Sequence, residues 1–232
     1  MRGEDIAQIL YTSGTTGTPK GVVLTHNSIT ANLEGINETI VIDSDHLLIS
    51  ILPLSHIFEQ SIGFWTPLIH GSTVVHLQVL KPSELFRALQ RYPVTALVLV
   101  PQFLDLLRGR IQGQIGDGIR EKAFQRMLAA ADSWPWRVRQ FLFFRVHRQI
   151  GSSFRFFVVG GAPLDPELER FWDRMGFLIL QGYGLTEASP VVTLNSPDAR
   201  KLGSVGHSLP GTEVAISDDG EVLVRGENVT TG

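Results

Sequence analysis

Apolar residues along this chain gather into short continuous runs, separated by longer stretches with helix-like spacing. Runs of strand length occupy residues 6–10, 47–52, 73–77, 96–100, 154–159 and 177–180. An apolar run of this length without polar alternation marks a strand buried on both faces. The stretches 27–40, 58–69, 83–91, 103–111, 120–131, 137–150 and 166–175 have the character of helices. Strands alternating with helices predict βαβ units, and so an α/β fold with a mainly parallel sheet covered by helices on both faces. Thr25 is placed to cap the helix after it, Pro82 and Ser83 to open another, and Asp165-Pro166-Glu167 to start a third. Near the end, 214–217 and 221–225 flank Asp218-Asp219-Gly220 and read as a β-hairpin. Residues 113–118 and 195–203 read as loops, and no internal repeat is visible. The expected organisation is an α/β part over 1–202 and the start of a small β subdomain over 203–232.

Composition narrows the class. With 232 residues, 43% hydrophobic and 19% charged, the chain is ordinary globular protein rather than a disordered one. A net charge of −3 argues against a nucleic-acid binder, whose phosphate contacts need a basic excess. There is no cysteine, so disulfides and thiolate catalysis are excluded. No apolar stretch approaches the ~20 residues that span a bilayer. The default expectation is a cytoplasmic protein.

The candidate chemistry starts directly after the first apolar run. Tyr11-Thr12-Ser13-Gly14-Thr15-Thr16-Gly17-Thr18-Pro19-Lys20-Gly21-Val22 packs three glycines, six hydroxyl or phenol side chains and one lysine into twelve positions. Small residues let backbone N–H groups approach an anion, the hydroxyls add donors, and the lysine adds a mobile positive charge. The Walker pattern is excluded by spacing, because Pro19 fills its second glycine slot and Gly21 follows Lys20. A glycine-rich surface turn is the plain structural alternative.

Four further segments join it. Pro53-Leu54-Ser55-His56-Ile57-Phe58-Glu59 ends a predicted strand, where open α/β sheets bind ligands. Val159-Gly160-Gly161-Ala162-Pro163 ends another. Gln181-Gly182-Tyr183-Gly184-Leu185-Thr186-Glu187 sets an aromatic ring between glycines, with a hydroxyl and a carboxylate beyond. These suit a stacked base, a phosphate contact and a metal ligand. Gly203-Ser204-Val205-Gly206-His207 is a glycine-rich turn before the hairpin. Singly, His56 reads equally as a core histidine, the glycine pairs as tight turns, and Glu187 as a solvated acid.

Together and in this order, the segments resemble the core motifs of the adenylate-forming superfamily, and the resemblance covers nearly the whole chain. Residues 53–59, and the long insert between Phe103 and Ser153, are most similar to long-chain fatty acid–CoA ligases. The resemblance implies the layered αβαβα-type core of that family's large domain. It also implies two half-reactions: a fatty acid and ATP give acyl-AMP and pyrophosphate, then coenzyme A displaces AMP. By the family pattern Thr12, Ser13, Gly14, Thr15, Thr16, Gly17, Thr18 and Lys20 hold the β- and γ-phosphates. Thr186 contacts the α-phosphate and Glu187 ligates Mg²⁺. Tyr183 stacks on adenine with Gly160, Gly161 and Ala162 on its other side, and Gln181, Gly182 and Gly184 belong to the same nucleotide segment. His56 stands at the acyl carboxylate.

Family members carry an N-terminal section, a ribose-binding aspartate and a mobile C-terminal domain that this sequence does not contain. The expectation is an excised fragment without thioester-forming activity of its own. A fatty acyl-AMP ligase with another acceptor and a non-catalytic nucleotide-binding module are the alternatives. On a single helix over 137–150, Val138, Leu142, Val146 and Ile150 share a core face with Phe143 beside it. Arg137, Phe141, Phe144, Arg145 and Arg148 lie opposite. That second face suits an anionic bilayer, or packing against a further section of protein.

Overall fold

The computed structural model describes residues 2–12, 19–77 and 81–231. Its centre is a seven-stranded sheet in the order β4-β3-β5-β6-β7-β8-β9. β3 (Leu47–Ser50), β4 (Thr73–His76), β5 (Ala96–Leu99), β6 (Phe156–Val159) and β7 (Leu178–Gly184) run parallel, with Leu97 opposite Phe157 and Val159 opposite Gln181. β8 (Val191–Leu194) and β9 (His207–Ser208) add antiparallel pairs at one edge. The hydrophobic reading locates the five parallel strands. It does not distinguish β8, whose four residues follow directly on a turn.

Successive strand residues point to opposite faces, and here both faces are covered. Ile49, Leu97, Leu99, Phe157, Val159 and Ile179 join one core cluster. That cluster takes in buried residues of α3 (Pro82–Arg91), α4 (Pro101–Ile115), α5 (Ile119–Ala130), α7 (Phe144–Ile150) and α8 (Pro166–Arg174). Leu48, Ala96, Val98, Phe156, Val158 and Leu180 join another, with Ile36 of α1 (His26–Thr39) and Ile62 of a π-helical turn, Glu59–Trp65. A short α2 (Thr66–Ile69) follows that turn. On the larger side Phe157, Trp172 and Phe177 meet at ring-centroid distances of 5.1–5.9 Å, a geometry that adds to plain area burial.

Two expectations need correction. The run at 6–10 does form a strand, β1 (Ile6–Thr12), but not a buried one. It pairs antiparallel with β2 (Lys20–Thr25) in a separate two-stranded ribbon. Ile6, Ile9 and Tyr11 are exposed, while Val22 and Leu24 pack on Ile29, Leu33 and Ile57. A ribbon outside the main sheet has one face to bury, so the apolar run overstates its burial.

The second correction concerns 137–150, which is two helices. α6 (Trp136–Leu142) ends at Phe143, at φ −97° and ψ 23°, and α7 begins beyond it. Phe143 is buried edge-on against Phe124 at 5.7 Å. Val146 and Ile150 face the core as expected, whereas Val138 and Leu142 are exposed. Arg139 fixes α6 by donating to the Trp134 carbonyl (2.9 Å) and pairing with buried Asp173 (2.8 Å). Asp173 also pairs with Arg200, tying α8 to the loop after β8.

The expected hairpin is present as β10 (Thr212–Ile216) and β11 (Val222–Gly226), with Gly220 at φ 83° in the turn. Among the described residues, no helix is long and apolar enough to cross a membrane.

Candidate active site

Where the parallel strands end, the chain leaves a cleft of about 790 Å³. Four of the segments that line it carry its polar groups. Tyr11, Thr12 and Lys20 enter from the facing ends of β1 and β2, where Thr12 is the register partner of Lys20. Ser55, His56 and Phe58 enter from the exit of β3, Gly160 and Gly161 from the exit of β6, and Tyr183, Thr186 and Glu187 from the end of β7 and just beyond. Residues 171 positions apart in sequence (Thr12 to Tyr183) thus share one opening. The ligand-binding end of an open α/β sheet is where such a cleft is expected.

The charges in this lining are few. Lys20 supplies a cation, Glu187 is the one carboxylate, and His56 is exposed toward the opening. Tyr183 and Thr186 are half-buried. Leu52, Ile57, Ile62, Val100 and Val191 give the cleft an apolar floor. One cation, one acid and several hydroxyls above apolar walls suit a ligand with an anionic end and a flat or greasy body.

Of the residues singled out in the sequence, Thr12, Lys20, His56, Gly160, Gly161, Gly182, Tyr183, Gly184, Thr186 and Glu187 line the cleft. Ala162, Gln181 and the glycine-rich turn Gly203-Ser204-Val205-Gly206-His207 do not. Ala162 is half-buried beside it, and Gln181 is buried, its carbonyl taken by the Asn195 amide at 2.9 Å. Ser13, Gly14, Thr15, Thr16, Gly17 and Thr18 lie outside the described residues.

Gly160 has a packing reason as well as a ligand one. A Cβ there would come within 2.9 Å of the Phe58 ring, so the ring of one wall segment occupies the missing side chain of another. The β3 exit turn is fixed locally: the His56 amide donates to the Pro53 carbonyl at 3.0 Å, and the Gln60 side chain donates to the Leu54 carbonyl at 2.7 Å.

Two groups of residues escaped the sequence reading. Glu59, one turn beyond His56, is fully buried, with neither carboxyl oxygen in a well-formed hydrogen bond. Burial pushes its pKa from 4.5 up to about 7, against the opposing pull of the Ser50 hydroxyl and the Leu52 and Ile51 amides. Asn32 and Asn228 are also buried, and their amides hold the backbone around Ala188. Nothing local marks these asparagines, since their partners lie 156 and 40 residues away.

The donor set can be tested against Mg²⁺. That ion prefers one or two carboxylates, with phosphate oxygens and water completing its shell. A single Glu187 in a lining that also holds Lys20 and Thr186 fits a metal that arrives with a polyphosphate. Among the described residues there is no group of three or more His, Cys, Asp or Glu able to hold a metal by protein ligands alone.

The chain matches the family described as AMP-binding enzyme over residues 1–232. It is 32% identical to long chain acyl-CoA synthetase 8 of Arabidopsis thaliana, covering 98% of this chain and 37% of that protein. It is 30% identical to the long-chain-fatty-acid–CoA ligase FadD15 of Mycobacterium tuberculosis, covering 100% and 41% respectively. The fold superposes with a TM-score of 0.73 on o-succinylbenzoate coenzyme A synthetase (MenE) from Bacillus subtilis in complex with ATP and magnesium ion. That match has 27% identity over 100% of this chain and 43% of the other. The chain thus spans about two fifths of the length of these relatives. Its sequence, its sheet order and its cleft make it a member of the AMP-binding enzyme family of adenylate-forming ligases.

Proposed function

We propose that the full-length protein is an ATP-dependent long-chain fatty acid–CoA ligase, and that this chain supplies its nucleotide-binding core. The observation that carries the reading is the meeting of Lys20, Tyr183, Thr186 and Glu187 at one cleft on the carboxyl side of the sheet. In the first half-reaction a fatty acid carboxylate oxygen attacks the α-phosphorus of ATP. The bond to the β-phosphate oxygen breaks, leaving acyl-AMP and pyrophosphate. In the second, the sulfur of coenzyme A attacks the acyl carbonyl carbon, AMP departs with the bridging oxygen, and the thiol proton passes to solvent.

Two anions must meet, so positioning and charge neutralisation dominate the barrier. The hydroxyl-rich stretch from Thr12 to Lys20 holds the β- and γ-phosphates and steadies the leaving pyrophosphate. Thr186 donates to the α-phosphate, Tyr183 stacks on the adenine, and His56 faces the incoming carboxylate. Mg²⁺ on Glu187 would screen the phosphate oxygens from that carboxylate. The apolar floor at Ile57 and Ile62 leads the acyl chain away from the phosphates.

The test is fatty-acid-dependent exchange of pyrophosphate into ATP by the full-length protein. Exchange is expected with long-chain acids, and Glu187→Gln should lower its rate by about a hundredfold or more. No exchange with any acid would reduce the chain to a nucleotide-binding module. Exchange without acyl-CoA formation would point to a different acyl acceptor. Peripheral membrane contact through the exposed aromatic and cationic surface of α6 and α7 is part of the same proposal. It gives the ligase access to acids that partition into lipid.

A further inference from the structure

The acid in the lining of the cleft stands on a very short support. Thr186–Ala188 is a single 3-10 turn, and Ser189 after it takes a left-handed conformation at φ 64°. A turn this short does not hold its own direction, and a left-handed serine needs outside support. The support comes from buried polar groups far away in sequence. Asn32 of α1, 1% exposed, donates to the carbonyls of Ala188 (3.2 Å) and Val191 (2.7 Å) and accepts from the Val191 amide (3.2 Å). Asn228, 2% exposed, donates to the Ala188 carbonyl (3.0 Å), and its own carbonyl accepts from the Ser189 hydroxyl (2.8 Å). Two residues on, the Thr230 amide donates to the Glu187 carbonyl (2.7 Å), while the Thr230 hydroxyl donates to the Val23 carbonyl of β2.

One three-residue segment therefore grips both sides of the cleft, the turn bearing Glu187 and the strand that begins at Lys20. Among the described residues, the β1–β2 ribbon shares no ladder with the seven-stranded sheet. It is held by the small apolar cluster beneath it and, through the Val23 carbonyl, by this clamp. We propose that Asn228 and Thr230, with Asn32, are positioning residues that hold Lys20 and Glu187 at the separation one metal–triphosphate requires. The inference rests on reading the cleft as a metal–ATP site. It assigns a function to Asn228 and Thr230, which are not among the residues that line the cleft.

The experiment measures binding of Mn²⁺–ATP by electron paramagnetic resonance, and of adenosine by competition, in the full-length protein. Asn228→Ala and Thr230→Val are compared with Glu187→Gln. Outer-shell partners of a metal ligand typically contribute 10- to 100-fold in affinity, so both clamp variants should weaken Mn²⁺–ATP by about tenfold. Adenosine, which carries no phosphate, should bind within about twofold of wild type. A merely structural role would weaken both ligands in proportion, and that result overturns the inference. So does unchanged Mn²⁺–ATP binding in the clamp variants when Glu187→Gln weakens it; only the positioning idea then falls. If Glu187→Gln is itself without effect, the metal reading of the cleft falls and takes the clamp with it. Should Asn228→Ala fail to fold, the near-isosteric Thr230→Val decides alone.

Discussion

Glu59 and His56 sit three positions apart and meet opposite fates. His56 faces the cleft, whereas Glu59 points into the protein behind it, against Gly63, where a Cβ would lie 2.6 Å from its carboxyl carbon. A buried acid with so little hydrogen bonding keeps its proton to higher pH than usual, because ionising it away from water is costly. The consequence for stability has a definite sign. Between its ordinary 4.5 and about 7 the folded protein keeps the Glu59 proton while the unfolded chain releases it. Stability from this group is therefore greatest below pH 4.5, declines as pH rises toward 7, and is flat beyond. The full effect is on the order of 3 kcal/mol. Glu59→Gln removes this dependence: urea unfolding at pH 5 and pH 7.5 should show the variant gaining on wild type by a few kcal/mol at the higher pH. An equal gap at both pH values would mean that Glu59 is ionised in the folded protein. The sequence displays the glutamate but not the face it occupies, because the π-helical turn rotates its residues away from 3.6-residue spacing.

Elements differ in how much of themselves they encode. α1 starts where a local signal puts it: Thr25 and Ser28 exchange side-chain-to-backbone hydrogen bonds at 3.1 Å in a complete capping box. Thr25→Ala should cost about 1 kcal/mol in unfolding free energy, and Thr25→Ser should restore most of it. If Thr25→Ala left the unfolding midpoint unchanged, the packing of α1, not its cap, would be fixing the helix start. Asp165 caps α8 the same way, accepting from the Glu167 amide at 2.9 Å. The break between α6 and α7 has no such local mark. Residues spaced by four from Val138 to Ile150 satisfy one continuous helix. The demand of Phe143 for the pocket beside Phe124, and of Arg139 for Asp173, bends the chain instead.

That bend exposes a surface whose composition is plain only on the whole molecule. Phe141 is 75% exposed and Phe144 47%, beside exposed Arg137, Arg145 and Arg148. Residues 134–164 contain no aspartate or glutamate, although the chain as a whole carries a net charge of −3. A cationic aromatic island on an acidic protein matches an anionic lipid surface, where each arginine contributes about 1 kcal/mol. Arg145→Glu with Arg148→Glu should lower co-sedimentation of the full-length protein with anionic vesicles by about tenfold or more. Binding to zwitterionic vesicles should change little. Equal binding of wild type and variant to anionic vesicles would remove membrane contact from the proposal.

The one-dimensional pattern by itself determined the alternation of strand and helix, the capped helix starts and the closing hairpin. Those features rest on side-chain periodicity, turn chemistry and short-range hydrogen bonds, all written within a few residues. Three things were decided only in three dimensions. One is that the first apolar run forms a half-exposed ribbon outside the main sheet. Another is the placing of Lys20 and Glu187, whose meeting the family resemblance only implies, in the lining of one cleft. The last is that Asn32, Asn228 and Thr230 brace the turn between them. The bracing depends on partners far apart in sequence, such as Asn32 with Val191 and Thr230 with Val23. Contacts of that range exist only after the parallel strands have stacked in order, and no local propensity encodes them.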